Sequence, residues 1–283
     1  MPALSNKLID TVIDFLHGDG LSLCACALVS KSCLPSARYH LFSDIEVTAE
    51  NFPSFLDLVE STSHIAPLVR GFTIRGRSES LPVGLIIGVM PEDDFLAENM
   101  SRVAPLLHNV IRLKIAGLDW DFPTLKTLEH SLVHAFETKI RRLELQIYRF
   151  WSFSDATSFI CHFSNLRHLD LDWVKWMRDD GPYTAPSLRM LEPLTVHAGE
   201  FPQGKVTMLT WLHIQSPLPK LISATFPVAE LISPYVIPST FGETLQNLHF
   251  SGFRSITEEP LGGICILFDF YIPSDCLFDS ISS

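Results

Sequence analysis

One short pattern, apolar-x-x-apolar-x-apolar, recurs along most of this chain and limits what the chain can fold into. It occurs as VRGFTI, VIRLKI, IRRLEL, LRHLDL, LTWLHI and LQNLHF. The copies begin at Val69, Val110, Ile140, Leu166, Leu209 and Leu245. A defective copy, LRMLEPLTV, begins at Leu188 and has Pro193 at its third apolar position. The end of each copy alternates with period two, which predicts a short strand in each.

The segments around these copies predict helices, so the repeating unit combines a strand with a helix. Helical patterns cover residues 51–59, 124–136 and 153–163. Units of this kind, repeated every 20–30 residues or so, are typical of a leucine-rich-repeat solenoid. We therefore expect an α/β fold that contains an irregular leucine-rich-repeat-like solenoid. The longer intervals between some copies indicate inserted loops or extra strands.

In such a solenoid the apolar positions point inward, and the residues between them form an exposed strand face. We expect this face to bind a protein target. The candidate target-binding residues are Arg75, Lys114, Glu144, Asp170, Asp172, Trp211 and His213. Charge along the face would run from basic to acidic and then to aromatic and polar groups, which could select a partner. The alternative is a solvated face with cross-strand pairs, such as Lys114 beside Glu144.

The first 45 residues contain three short helical patterns that are too small to complete a core. The first pattern has a wide apolar face made of Leu8, Ile9, Val12, Ile13, Phe15 and Leu16. Ser5 is a suitable N-cap, the second helix begins near Asp19 or Ser22, and Pro35 fits the first turn of the third. So small a unit needs support. Its surplus apolar residues would pack against the rest of the chain, a second protein, or both.

This N-terminal stretch resembles an F-box, in particular that of fungal F-box proteins with ALVS, LP-SAR and HLF motifs in this order. The resemblance is carried by Leu4-Ser5-Asn6-Lys7-Leu8-Ile9, Leu28-Val29-Ser30-Lys31-Ser32 and Leu34-Pro35-Ser36-Ala37-Arg38. In that family the three helices bind a Skp-type adaptor, which links them to a cullin–RING ubiquitin ligase. The resemblance implies that the adaptor-binding residues are Leu4, Ser5, Leu8, Ile9, Ile13, Val29, Ser30 and Lys31.

The resemblance extends into the repeats, through residues 150–176, and implies a division of the chain. The expected regions are an F-box-like unit (1–45), a connecting helix or linker (46–64), a repeat domain (65–255) and an atypical C-terminal segment (256–283). The family's usual proline, acidic residue and tryptophan are replaced by Ser5, Lys7 and Cys33. Two hypotheses follow: a non-catalytic substrate-recognition subunit of a Skp–cullin–F-box ubiquitin ligase, or a protein–protein interaction module with a vestigial F-box and no ubiquitin role.

Composition argues against nucleic acids and membranes as partners. The formal net charge is -11, whereas binding to nucleic acid or anionic lipid requires a basic surface. The longest apolar runs, LPVGLIIGVM and LGGICILFDFYI, are shorter than the roughly 18–20 residues that span a bilayer. Lys7, Asp10 and Asp14 interrupt the region where a signal peptide would be apolar. We therefore expect a cytoplasmic or nuclear protein.

No combination of residues predicts catalysis, a metal or a cofactor. The two histidines of His130-Ser131-Leu132-Val133-His134 lack the glutamate that a zinc protease motif requires. Cys24, Cys26 and Cys33 lack a nearby fourth ligand. The sequence contains no nucleophile elbow, phosphate-binding loop or dinucleotide-binding fingerprint. The chain is therefore not expected to be an enzyme.

Overall fold

The structure is a computed structural model that describes part of the chain. That part comprises residues 5–76, 91–118, 122–178, 194–198, 211–212, 214–215, 220–227, 247–251, 253–255, 265–267 and 270–273.

Three short helices open the described chain, as the apolar spacing predicts. They are α1 (Asn6–Asp14), α2 (Gly20–Val29) and α3 (Leu34–Ser43). Ser5 caps α1 by accepting a hydrogen bond from the Leu8 amide at 3.4 Å. Asp19 caps α2 by accepting one from the Ser22 amide at 3.1 Å. Pro35 lies in the first turn of α3, where its missing N–H is not needed.

A parallel sheet follows, and its strands lie side by side in chain order. Its parallel strands are β1 (Asp44–Val47), β2 (Gly71–Arg75), β3 (Arg112–Leu118), β4 (Arg142–Ser152), β5 (His168–Asp172), β7 (Leu194–Ala198), β8 (Leu221–Pro227) and β9 (Asn247–Ser251). The short strand β6 (Lys175–Arg178) pairs in parallel with the second half of β4. Beyond β9, the strand β12 (Phe270–Pro273) pairs antiparallel with it, and β10 (Phe253–Ser255) forms an antiparallel pair with β11 (Cys265–Leu267). The fold is therefore mixed α/β.

Helices connect the first strands and cover one face of the sheet. They are α4 (Phe52–Ser61), α5 (Pro91–Val103), α6 (Phe122–Phe136) and α7 (Phe153–Cys161). A short 3-10 helix, Ala66–Leu68, precedes β2. Parallel neighbours need crossover connections of one hand, which puts these helices on the same side of the sheet. Apolar side chains of both layers form one continuous core, and the opposite sheet face carries polar side chains.

The first four sequence copies are strands, and their central apolar residues are buried as predicted. The buried pairs are Phe72 and Ile74, Leu113 and Ile115, Leu143 and Leu145, and Leu169 and Leu171. The copy at Leu245 is also a strand, β9. The three predicted helical segments are confirmed as α4, α6 and α7. Apolar spacing therefore identifies much of the two-layer architecture.

Two copies are placed incorrectly by the sequence pattern. In the copy at Leu209, Trp211 and Leu212 are helical and fully buried, and the next strand is β8 instead. A hexapeptide with apolar residues three positions apart also fits one turn of a helix, which explains the error. In the defective copy, the strand begins at Leu194, beyond Pro193, because Leu194 and Val196 supply the buried pair.

Strand β1 was not predicted, and it joins the helices directly to the sheet. Helix α3 ends at Ser43, and β1 begins at the next residue, Asp44. Only four residues long, β1 has a single buried side chain, Val47, so its sequence carries little strand signal. It pairs in parallel with β2 along its whole length. The sheet therefore starts where the three-helix unit ends.

Candidate interaction surfaces

Helix α1 and the turn after it carry apolar side chains in two rows, one facing inward and one facing outward. The inward row packs in the small core of the three helices and consists of Ile9, Ile13 and Leu16. The outward row consists of Leu8, Val12 and Phe15. Leu8 and Val12 are about half exposed, and Phe15 is 82% exposed. The apolar face predicted for this helix is therefore wider than its own core can bury.

Helix α2 has an outward apolar row of the same kind. Leu21 and Leu28 lie seven residues apart, on one side of the helix, and are 86% and 88% exposed. Val29, the last residue of α2, is 79% exposed, whereas Leu23 is buried. Concentrated exposure of large apolar side chains marks an interaction site in proteins. We call these outward residues of α1 and α2 the helical apolar surface.

The predicted adaptor-binding residues fall into three groups. Ser5, Leu8, Val29 and Lys31 are exposed. Ile9 and Ser30 are half-buried, and Ile13 is buried, so Ile13 can only support the surface from within. Leu4 lies outside the described residues. Val12, Phe15, Leu21 and Leu28 are exposed but are not among the predicted residues, because helical periodicity alone does not separate an inward apolar residue from an outward one.

The exposed sheet face contains an ion pair that crosses a whole strand. Asp44 on β1, Gly71 on β2 and Arg112 on β3 lie side by side in register. The Arg112 Nη2 atom contacts Asp44 Oδ1 at 2.5 Å across Gly71. A Cβ atom at Gly71 would overlap the Asp44 carboxylate and lie 3.4 Å from Arg112 Nη2. The absence of a side chain at Gly71 therefore allows Asp44 on β1 and Arg112 on β3 to form an ion pair across β2.

Other charges on this face are also paired between strands. Arg75 donates two hydrogen bonds to the Glu46 carboxylate, at 2.7 and 3.0 Å. The Arg75 hydrogen bond lowers the pKa of Glu46, and partial burial opposes it. Arg142 contacts Glu144 at 2.6 Å and Asp170 at 2.9 Å. Three of the predicted target-binding residues therefore already take part in intramolecular ion pairs, each worth about 0–1 kcal/mol at such exposure.

The order of charges along the exposed sheet face differs from the predicted order at the first strand, β1. Lys114 lies opposite Glu144 in register, as predicted, and Asp170 lies opposite Glu144 on the other side. Asp172 is half-buried and accepts a hydrogen bond from the Gln146 side chain at 3.5 Å. Because β1 carries acidic side chains ahead of the basic strands, the charge runs acidic, basic and acidic again.

The prediction that Trp211 lies on the exposed face is wrong. Trp211 is fully buried, has helical conformation, and packs edge to face against Phe153 with 6.4 Å between ring centroids. Its large apolar ring is better accommodated between the helices and the sheet than in water. His213 lies outside the described residues. Trp211 is therefore excluded as an aromatic contact residue for a target on this face.

A different aromatic region is exposed beyond the middle of β4, where the backbone turns left-handed. Ile147 and Trp173 have φ angles of 50° and 52°, and Gly117 on the neighbouring strand has 65°. Up to this point odd-numbered residues of β4 point inward; beyond it even-numbered ones do, from Tyr148 onward. Ile147 and Trp151 of β4 are exposed as a result, and Trp173 and Met177, in the segment that follows β5, are exposed as well.

A shallow cleft of about 220 Å³ opens on the sheet face between β4, β5 and β7. Arg142, His168, Asp170 and Thr195 are among its lining residues. Burial lowers the pKa of His168, the positive charge of Arg142 lowers it further, and Asp170 opposes both. These effects favour the neutral imidazole, which offers one donor and one acceptor.

The one strongly buried acidic side chain in the described core belongs to a structural network. Glu129 on α6 accepts hydrogen bonds from Tyr148 at 3.0 Å and from Lys126 at 2.9 Å. Lys126 also contacts Asp155 on α7 at 2.8 Å. Burial raises the pKa of Glu129, and Lys126 opposes that shift. The network joins α6, α7 and β4.

The described part of the chain offers no group of three His, Cys, Asp or Glu side chains that could hold a metal ion. His130 and His134 are both exposed on α6. None of the helices in the ranges given above combines the length and apolar character that a membrane crossing requires. Comparison with known proteins does not assign the chain to a family, since no protein-family model matches it and no curated protein matches its sequence.

Proposed function

We propose that this chain is a non-catalytic receptor in which helices α1–α3 act as an F-box and bind a Skp-type adaptor. The sheet would act as an irregular leucine-rich-repeat-like domain that binds a protein target. Through the adaptor the chain would join a cullin–RING ubiquitin ligase in the cytoplasm or nucleus. Its contribution is proximity, because it raises the effective concentration of the target near the ubiquitin-charged enzyme of the complex.

The observation that carries this proposal is the helical apolar surface. Phe15, Leu21 and Leu28 are each more than four-fifths exposed, because the core of their own three-helix unit is too small to enclose them. Burial of one such side chain in an interface contributes about 1.5–3 kcal/mol. A partner that covers the surface would therefore stabilise both the complex and the unit itself.

The experiment measures binding of the full chain to a purified Skp-type adaptor by calorimetry. We expect Phe15→Asp and Val29→Asp to weaken binding about 100-fold or more, since each removes apolar contact and buries a charge. Met177→Asp is the matched control, because Met177 is also an exposed apolar residue but lies on β6. Circular dichroism checks that all variants are folded. Unchanged binding by both helix variants would show that the adaptor does not use this surface.

A second candidate is a protein–protein interaction module with a vestigial F-box and no role in ubiquitin transfer. Lys7 is exposed on α1, and Cys33 packs against the small helical core at the position of the family's tryptophan. A side chain as small as cysteine buries less apolar area there. Absence of adaptor binding by the wild-type chain at micromolar concentration would favour this second function.

A further inference from the structure

A basic cleft lies at the edge of the sheet where strands β2 to β5 begin. Its volume is about 320 Å³, at the lower end of the range of small-molecule sites. The cationic side chains that line it are Arg70, Lys139, Arg141 and Arg167, with His108 beside them. No aspartate or glutamate belongs to its lining. This is unusual in a chain whose formal net charge is -11.

Backbone hydrogen bonds hold three of these residues in a fixed row. Arg70, Ile111, Arg141 and Arg167 each immediately precede a strand. The Ile111 amide donates to Arg70 O at 2.9 Å, the Arg141 amide to Ile111 O at 2.8 Å, and the Arg167 amide to Arg141 O at 2.8 Å. Neighbouring positions in such a row are about 4.8 Å apart. Arg70 and Arg141 are therefore about 10 Å apart along the row, and Arg141 and Arg167 about 5 Å.

Asparagine side chains fix the turns that form the walls of the cleft. Asn109, in the turn before β3, donates to Pro67 O in the turn before β2 at 2.7 Å. Asn165, in the turn before β5, donates to Thr138 O in the turn before β4 at 2.6 Å. Each amide therefore links one turn to the preceding one. The cleft is built from tied turns, and a ligand would meet a shape that exists before it binds.

Two arginines of the cleft, Arg70 and Arg141, differ from three arginines on the exposed sheet face in how their charge is balanced. Arg75, Arg112 and Arg142 each contact a carboxylate at 2.5–2.7 Å. Arg70 and Arg141 are exposed, and neither forms an ion pair with any residue that the structure describes. Like charges that line one cleft repel one another, and a bound anion reduces that repulsion.

We propose that this cleft binds a phosphomonoester group, carried either by a small molecule or by a phosphorylated side chain of a protein. A phosphomonoester has a charge of about −1.5 to −2 at pH 7 and three strong acceptor oxygens, which match several converging donors. Guanidinium groups are suited to phosphate because they donate in pairs. A nucleic-acid strand needs a long basic stripe, whereas this cleft accommodates one such group. The site is separate from the helical apolar surface and does not depend on adaptor binding.

The experiment uses the full chain and fluorescence-labelled peptide pools, with one pool containing a central phosphoserine and the other an unmodified serine. We expect only the phosphoserine pool to bind, and inorganic phosphate to compete. Arg141→Gln and Arg70→Gln should each weaken binding about tenfold. Arg178→Gln, on β6 and outside the cleft, is the matched control and should change it less than about twofold. Thermal unfolding of each variant checks that its fold is retained.

Further arms of the experiment separate the sources of the phosphate group. Equal affinity for inorganic phosphate and for the phosphoserine pool indicates a small-molecule ligand, and tighter binding of the pool indicates a phosphorylated protein. Both results support the proposal. Equal binding of the two peptide pools, unchanged binding by both cleft variants, or preferential binding of a single-stranded RNA oligonucleotide would overturn it.

Discussion

Gly71 shows how one missing side chain determines an interaction between two other residues. Asp44 and Arg112 belong to strands that are not neighbours. Their side chains meet because Gly71, which lies between them on β2, has no Cβ atom. The sequence gives no sign of this role, because a glycine ahead of a strand pattern also fits a turn. Only the register of three strands reveals why this position has no side chain.

Replacement of Gly71 by alanine should break the ion pair, and a double-mutant cycle with Asp44→Ala measures the part of the loss that depends on the Asp44 carboxylate. We expect Gly71→Ala to be about 0.5–1 kcal/mol less favourable in the wild-type chain than in an Asp44→Ala background, where no pair remains. The change in backbone entropy is the same in both backgrounds and cancels. Urea denaturation of the four proteins measures the coupling. A coupling energy of zero would mean that Asp44 and Arg112 do not interact in solution.

Among the strands, β4 shows where the sequence pattern stops predicting which side chains are buried. The residues of β4 that face the core change from odd-numbered to even-numbered positions partway along the strand. The pattern predicts Leu143 and Leu145 as inward residues, and the structure agrees. Beyond them, Ile147 adopts a left-handed conformation that is costly for a β-branched residue, by about 1–3 kcal/mol. No local propensity predicts such a residue. The outward placement of Trp151 and Trp173 therefore could not be derived from apolar spacing.

A β-bulge explains why the sequence pattern did not predict strand β8. In the pairing of β7 with β8, Leu194 lies opposite Leu221 and Val196 opposite Ala224, with a bulge between them. The extra residue lengthens the apolar spacing in β8 from two positions to three. A search for a fixed spacing therefore misses this strand, whereas regular copies such as β3 and β5 are found.

The Lys126 network makes a prediction about how α6 is attached to its neighbours. Lys126→Met leaves the buried Glu129 carboxylate without its cation, and we expect a loss of about 1–3 kcal/mol in the free energy of unfolding. Addition of Glu129→Gln should recover part of the loss, because the amide oxygen still accepts from Tyr148 and carries no charge. Chemical denaturation of both variants tests this. Equal stability of the single and double variants would contradict it.

For the whole molecule, the sizes of the two apolar cores differ greatly. The three-helix unit buries Ile13, Leu23 and Ala37 with a few partly buried neighbours, whereas the sheet and its helices share a core that extends from Val47 to Ala224. The sequence predicted this inequality correctly, because a unit of three short helices has too few residues to enclose a core. It could not predict which apolar residues remain outside.

This difference predicts unequal resistance to local unfolding. In the full chain without partners, amides of α1 and α2 should exchange with solvent through an opening of lower free energy than amides of β3 and β4. Hydrogen exchange followed by mass spectrometry measures both. Adaptor binding should slow exchange in the helices and leave the strands unchanged. Equal protection of helices and strands in the free chain would contradict the prediction.

The direct passage from Ser43 at the end of α3 to Asp44 at the start of β1 has a mechanical consequence. No linker separates the two elements, and the Arg70 amide donates to Ser43 O at 2.8 Å, which restrains the helices against the sheet. A ligand held on the strands and a protein held on the helices would keep a constant separation and a constant angle. In the receptor proposed above, the length of this span would decide which lysines of a bound target come within reach of the enzyme that transfers ubiquitin.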